Sequence, residues 1–388
     1  MDKERVLIVH NYYQVSGGED TVVANEKKML EDNGHEVFMY TRHNEEIKKS
    51  GILEKIKLPF ETIYSFKTVR EVKKVIRENE IDIVHVHNTL PLISPSVYKA
   101  AKDCGCKIVQ TVHNFRLLCP GATFTCNGKI CEECISKGLK CAIKNKCYRN
   151  SKIQTLAVVL MLKINRIIGS YDKVDTYIAL TKFNKRKLEA LIPKNKIVIK
   201  SNFTEKTNLD IIPVKDREYF MFLGRIESIK GIHLLLNTWK EIKDETLVIV
   251  GAGTEEGYLR EFITNNNISN IEFLGTRKKE DAMKILSKAK ALIIPSQWYE
   301  GFPMVIIEAL SQGVPIIGSN IGNVGGLLKD KTYGIVHDFT NSSIKEVLKS
   351  FQNIDKLNMY INNALNEYER KYSVNKNYRM LEKIYKNL

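Results

Sequence analysis

No run of about 18 consecutive apolar residues occurs in this chain, so no segment is expected to span a bilayer as a helix. The longest apolar stretch, "LAVVLML" from Leu156 to Leu162, is bracketed by Lys152 and by Lys163 and Arg166. The opening "MDKERVLIVH" lacks the arrangement of a signal peptide: acids interrupt its basic start, and its apolar part is a short strand. The expectation is a cytoplasmic protein. Low-complexity tracts and short repeats are missing. So are a zinc-finger helix, an RNP-like aromatic pattern and a helix-turn-helix signature, which argues against nucleic acid as a partner. A complete GxGxxG is absent as well, which argues against a nicotinamide site.

What is present is globular: 43% hydrophobic and 27% charged residues. At 388 residues the chain is long enough for two domains, each with its own core. The net charge is +15 and it is uneven. "SKGLKCAIKNKCYRNSK" (Ser136 to Lys152) holds six basic residues and no acid, and "TKFNKRKLEALIPKNKIVIK" (Thr181 to Lys200) seven and one. Both lie in the first half. An anionic partner follows, either a membrane surface or a phosphate-bearing molecule.

Short β-branched runs alternate with helical-period stretches throughout. The first half offers "RVLIVH", "HEVFMY", "IDIVHVH", "CKIVQTVH", "DTYIAL" and "KIVIK". The second offers "YFMFLG", "TLVIVG", "IEFLG", "ALIIPS", "VPIIGS" and "YGIVH". Continuous apolar strands separated by helices predict parallel sheets covered on both faces. The reading is α/β, with two doubly wound domains whose ligands bind beyond the carboxyl ends of the strands, in one shared cleft. Its boundaries are a first domain at 1–205 with a cysteine-rich insertion at 119–147, a linker at 206–217, a second domain at 218–370, and a terminal helix at 371–388 crossing back to the first.

Three loops could approach phosphate. Gly17 and Gly18 open a helix after the first strand, so backbone N–H groups there could meet an anion; a plain tight turn explains them equally well. "FLGRIESIKG" sets Arg225 and Lys230 at a strand-to-helix turn, a forked cation and a point charge suited to a diphosphate. Gly251 and Gly253 form half of a dinucleotide fingerprint. A fourth stretch, "SQWYEGFPMVIIEAL", places Glu300 and Glu308 eight residues apart. With Pro303 in the first helical turn, Glu300 falls in the loop and Glu308 about 7–8 Å along the helix. Ionised carboxylates there would accept bonds from sugar hydroxyls.

"EGFPMVIIE", preceded by "ALIIPS" and followed by "ALSQGVPIIGS", resembles the E-x7-E motif of retaining GT-B glycosyltransferases of family 4. "SGGED", "IDIVHVHN", "TVHNFRLLCPG", "GRIESIKG" and "VGAGTEEGYL" extend the resemblance over nearly the whole chain. It implies the GT-B fold and transfer of a sugar from a nucleotide-sugar, UDP first, to a saccharide or lipid-linked saccharide. The setting it implies is cell-surface polysaccharide assembly at the inner face of the membrane. Glu308 would bind ribose hydroxyls and Glu300 the donor sugar, with Gly301, Phe302 and Pro303 supporting sugar and phosphate. Arg225 and Lys230 would hold the diphosphate and make a divalent metal unnecessary. Gly17 and Gly18 would approach the phosphate, and His113 would lie near the donor sugar. Pro303 departs from the glycine usual in the family, and "LLKDKTYG" after Gly326 lacks a usual glutamate. A nucleotide-sugar 2-epimerase and a non-catalytic sugar-nucleotide-binding protein are the competing readings.

His85 and His87 share one face of a strand end, with no third metal ligand nearby in sequence. Six of the eight cysteines fall between Cys119 and Cys147. In a reducing compartment such a cluster reads as zinc rather than disulfides. The resemblance picks Cys119, Cys131, Cys134 and Cys147 as ligands of a structural zinc, with free buried thiols as the alternative.

Overall fold

The computed structural model describes residues 3–14, 17–207, 209–329, 332–339 and 344–388. Ser16 of the first glycine loop, Asn208 of the linker, and Asp330 and Lys331 after Gly326 lie outside them. The chain divides into two compact units. One holds Met1–Cys126, Cys131–Asn202 and Asn377–Leu388; the other holds Asn127–Ile130 and Phe203–Lys376. Among the described residues, no helix is long and apolar enough to cross a membrane.

Six strands make the first unit's sheet: β1 (Arg5–Tyr12), β2 (Glu36–His43), β3 (Ile83–Asn88), β4 (Lys107–Val112), β5 (Thr176–Ala179) and β6 (Ile197–Ile199). Their order is β2-β1-β3-β4-β5-β6, all parallel. Val6 to Val9 are fully buried, as a strand covered on both faces requires. The covering helices include α1 (Gly18–Asp32), α2 (Ile52–Ile63), α3 (Phe66–Glu78) and α4 (Lys152–Ile167). Helix α1 buries Val22, Val23, Glu26, Met29 and Leu30, one stripe of helical period that contains an acid.

The second unit repeats the plan with β7 (Tyr219–Leu223), β8 (Leu247–Val250), β9 (Ile271–Gly275), β10 (Ala289–Ile294), β11 (Ile316–Gly318) and β12 (Gly334–Val336). The order is β9-β8-β7-β10-β11-β12, again parallel. Helices α5 (Ile232–Trp239), α6 (Met304–Ser311) and α7 (Gly322–Leu328) follow β7, β10 and β11. Arg217, buried just before β7, donates to the carbonyls of Ile212, Ala289 and Gln312 and ties the start of the unit to its sheet.

The last helix, α8 (Val374–Lys386), belongs from Asn377 onward to the first unit. There Tyr378 Oη meets His35 Nε2 at 3.2 Å, and Tyr385 Oη meets His85 Nδ1 at 2.7 Å.

Candidate active site

In a doubly wound sheet the ligand crevice opens where the strand order reverses. In the second unit that point lies between β7 and β10. The loop after β7 carries Lys230, and the loop after β10 carries Glu300. Gly231 has φ +82°, and a Cβ on it would lie 2.0 Å from the Pro295 carbonyl oxygen. Only glycine lets the first loop rest against the end of β10. The Gln297 N–H donates to the Ile229 carbonyl at 2.9 Å and closes the contact.

This approach sets Lys230 Nζ 2.7 and 2.9 Å from the two Glu300 oxygens. Ser296 Oγ and Trp298 Nε1 also donate to Oε1, at 2.7 and 2.9 Å. The Lys230 ammonium lies 5.3 Å from the centre of the Trp298 ring. Asn323, on α7, donates to the carbonyls of Glu300 and Gly301 and fixes the loop's path. Glu300 is buried, so its charge depends on these donors.

Sequence reasoning assigned Lys230 and Glu300 to different parts of a donor; the structure brings them to each other. Arg225 does not join them: it is exposed, and its guanidinium pairs with Glu227. Pro303 is the N-cap of α6 with extended ψ 101°, and the helix begins at Met304. The expected position of Pro303 inside the first turn is thereby corrected. Phe302 packs edge-on to Tyr372 at 6.3 Å. Glu308 lies within α6, and among the described residues its ionic partner is Lys279 Nζ at 4.0 Å. Burial raises its pKa, and Lys279 only partly opposes this. Such a carboxylate gains from ligand hydroxyls.

In the first unit the order reverses between β1 and β3, and a polar cluster occupies that point. Glu26 reaches in from α1. Its Oε2 pairs with Lys200 Nζ at 2.9 Å. Its Oε1 lies 3.1 Å from His85 Nδ1 and 3.3 Å from His87 Nε2. His87 Nδ1 in turn meets His113 Nε2 at 2.9 Å. Thr111 Oγ1 meets His85 Nε2 at 2.8 Å. Burial would raise the Glu26 pKa, but Lys200 and the two histidines outweigh it and hold the carboxyl well below its usual range. Burial pushes His85 down to about 3, lowers His87, and holds His113 well below the ordinary histidine value. The rings are therefore neutral at pH 7. A carboxylate facing His87 Nε2 places the proton there, so Nδ1 accepts from His113 Nε2–H. His113 Nδ1 is then an acceptor.

Glu26, His85 and His87 have ligand atoms within 4.8 Å of one another, as a metal site would need. The ammonium of Lys200 on the same carboxylate makes this a charge-balanced network instead. Sequence inspection left the histidines without a third partner, because that partner lies on α1. The available signal was an acid in the apolar stripe of Val22, Val23, Met29 and Leu30. Trp298 and Ser296 were also missed, although both stand in "SQWYEG". At the α1 N-terminus, the Gly17 N–H donates to Asp20 Oδ2 at 3.2 Å, and Asp20 Oδ1 meets His10 Nε2 at 2.8 Å. Glu19 and Asp20 fill the first turn after Gly18, so acids already answer the helix dipole there.

The cysteines crowd one another without converging. Cys119 is buried, and Cys131, Cys134 and Cys147 are half-buried, all as free thiols. Cys119 and Cys147 both lie against Gly121: a Cβ on it would lie 3.7 Å from the Cys119 sulfur and 3.6 Å from the Cys147 Cβ. Burial, then neighbouring thiols, push Cys134 and Cys147 up to about 12. Tetrahedral zinc with Zn–S near 2.3 Å would hold its sulfurs roughly 4 Å apart. Among the described residues, no three of these sulfurs lie within 4.8 Å of one another. The expected closed thiolate site is not formed in this arrangement.

Two parallel α/β units, each with a polar cluster at the switch point of its sheet, define a GT-B architecture. The chain belongs to glycosyltransferase family 4: "Glycosyltransferase Family 4" matches residues 16–205 and "Glycosyl transferases group 1" residues 205–372. It is 24% identical to the uncharacterized glycosyltransferase MJ1178 of Methanocaldococcus jannaschii, over 99% of this chain and 98% of the relative. It is 25% identical to an uncharacterized 42.6 kDa protein in the cps region of Klebsiella pneumoniae, over 77% and 74%. A glycosyltransferase structure from Rickettsia africae superposes with TM-score 0.70 at 18% identity, covering 100% of this chain and 99% of that one. The Anabaena Alr3699/HepE structure in complex with UDP gives 0.66 at 15% identity, covering 99% and 100%. The chain is a glycosyltransferase of the GT-B type.

Proposed function

We propose that this enzyme moves a sugar from a nucleoside-diphosphate sugar, UDP first, to a saccharide carried on a lipid, with retention at the anomeric carbon. The observation that carries the reading is the pairing of half-buried Lys230 with buried Glu300 at the switch point of the second sheet. An ammonium has three protons; Glu300 takes two, and the third is available to a diphosphate oxygen. Glu300, held by Trp298 and Ser296 through Oε1, offers the remaining lone pair of Oε2 to a sugar hydroxyl. Glu308 accepts the ribose hydroxyls. Arg225 exchanges Glu227 for phosphate. Gly301, Phe302 and Pro303 shape the floor under sugar and phosphate. In the first unit, His113, neutral and with Nδ1 as acceptor, is suited to accept from a sugar hydroxyl.

In the transfer step the acceptor oxygen attacks the anomeric carbon from the side that the diphosphate leaves. The carbon–oxygen bond to phosphate breaks as the glycosidic bond forms, and the acceptor proton passes to the leaving phosphate oxygen. Charge stabilisation by Lys230 and Arg225 supplies the main catalytic effect. The UDP complex of the Anabaena relative supports the donor class, and the cps-region relative supports cell-surface polysaccharide as the pathway.

The test is a panel of UDP-, GDP- and ADP-sugars with EDTA present, read by thermal shift and slow donor hydrolysis. Stabilisation and turnover by one donor, both lost in Glu308→Ala, uphold the reading. No response to any donor sinks it. The zinc reading of Cys119, Cys131, Cys134 and Cys147 rests on the family resemblance and on the crowding of thiols around Cys134 and Cys147. Elemental analysis decides it: about one zinc per chain retains it, and none removes it.

A further inference from the structure

Helices that cover a sheet bury one apolar stripe and turn a polar one to solvent. Helices α2 and α4 depart from this. Every residue from Gly51 to Lys57 is exposed. Ile52, Ile56 and Phe60, spaced four apart on α2, are 61–80% exposed, and Phe66 at the start of α3 is 81% exposed. Ile153 and Ile167, at the two ends of α4, are 77% and 83% exposed. Helix α2 packs along α4, and Asn165 donates to the Ile63 carbonyl at 2.9 Å. Of the sixteen large apolar side chains exposed among the described residues, eight fall on α2 and α4, and Phe66 and Ile168 beside them make ten. Scattered single exposures need no explanation; a concentration of this kind does.

The charge around it is strongly positive. From residue 48 to 70 stand Lys48, Lys49, Lys55, Lys57, Lys67 and Arg70 against Glu54 and Glu61; from 144 to 168 stand six further basic residues and no acid. Two copies of this face would oppose like charges across an apolar contact. A nucleic acid would leave the isoleucines and phenylalanines in water. A bilayer with anionic headgroups satisfies both features: the apolar side chains enter the headgroup boundary, and the lysines meet phosphate. Tyr64 and Phe66, whose rings meet edge-on at 5.0 Å, supply aromatic bodies suited to that boundary.

We propose that the α2–α4 face of the first unit is a docking surface for an anionic membrane, lying in the headgroup plane. This deepens the reading of a lipid-carried acceptor and rests on it only for its purpose, since the binding is measured without turnover. The full chain is sedimented with vesicles of phosphatidylglycerol mixed into phosphatidylcholine, and with phosphatidylcholine alone, at low and high salt. Binding is expected to the anionic vesicles only and to weaken with salt. The variant Ile52→Ser with Ile56→Ser and Phe60→Ser, and separately Lys55→Glu with Lys57→Glu, should each lower partitioning roughly ten-fold or more. Their thermal unfolding should be unchanged, because all five side chains are exposed. Equal binding to neutral vesicles, or undiminished binding by both variants, overturns the proposal. So does a dimer, seen in sedimentation velocity without lipid, that the serine variant dissociates. If the vesicles bind and no donor turns over, the docking surface stands and the transferase chemistry proposed above fails.

Discussion

Lys230 and Glu300 each depend on the other. Removing the ammonium strands a buried carboxylate, and that asymmetry sets the size of the effect. Lys230→Ala should lower unfolding free energy by roughly 3 kcal/mol, whereas the paired change Lys230→Met with Glu300→Gln should recover much of it. Urea denaturation of the two variants measures the difference; equal losses would mean that the pair is not coupled. The histidines of the first unit make a second residue-scale prediction. His85 titrates near 3 in the folded chain and near 6.5 when unfolded, so between those values the unfolded state binds more protons. Stability therefore falls as pH falls through that window, by about 2 kcal/mol between pH 7 and pH 5 for one such ring. Glu26 adds to the loss only at lower pH, because its folded pKa is depressed and its contribution disappears as the carboxylate protonates. Urea midpoints at pH 7 and pH 5 check the sign; a chain more stable at pH 5 would contradict it. Histidine nitrogen NMR should find the proton of His113 on Nε2, and Glu26→Gln should weaken that preference.

At the scale of elements, the loop after β7 owes its position to a backbone angle. Gly231→Ala would force a left-handed residue with a side chain into the Pro295 carbonyl. A destabilisation of about 2 kcal/mol or more is expected, with loss of donor-induced thermal shift even though no ligand contact is removed. Each of the twelve apolar runs picked out of the sequence is a strand; central ones such as β1 and β3 are buried on both faces, must be apolar almost throughout and so announce themselves. Which loops meet was less legible. Lys230 and Glu300 are adjacent because β7 pairs with β10, a fact of strand order that neither loop carries. Pro303 was placed inside the first turn rather than at the N-cap just before it, since its fixed φ suits both and only ψ tells them apart. Glu26 was overlooked among the surface acids of α1, although its register among Val22, Val23 and Met29 put it inward.

At the scale of the whole molecule, the first unit is assembled from pieces far apart in sequence. Glu26 and Lys200 are 174 residues apart, and His85 and Tyr385 are 300 apart. A truncation after Lys376 would remove the Tyr385 hydroxyl from His85 and the Tyr378 hydroxyl from His35. It should lower the unfolding midpoint of the first unit while leaving the second nearly unchanged. Calorimetry should then resolve two transitions where the full chain has closer ones, and a single unshifted transition would rule this out. The basic, apolar face of α2 and α4 lies in this same unit, so vesicle binding should weaken along with it.

The return of Asn377–Leu388 to the first unit also bears on the order of events at the ribosome. The first half of the chain emerges early but lacks a piece of its own core. At ordinary elongation rates that piece arrives on the order of ten seconds later. The intervening half, Phe203–Lys376, meets no such delay. The unit made second is thus free to fold first. A message cut short near its end would yield a chain whose first unit, lacking Asn377–Leu388, is less stable and opens to proteases more often than the second.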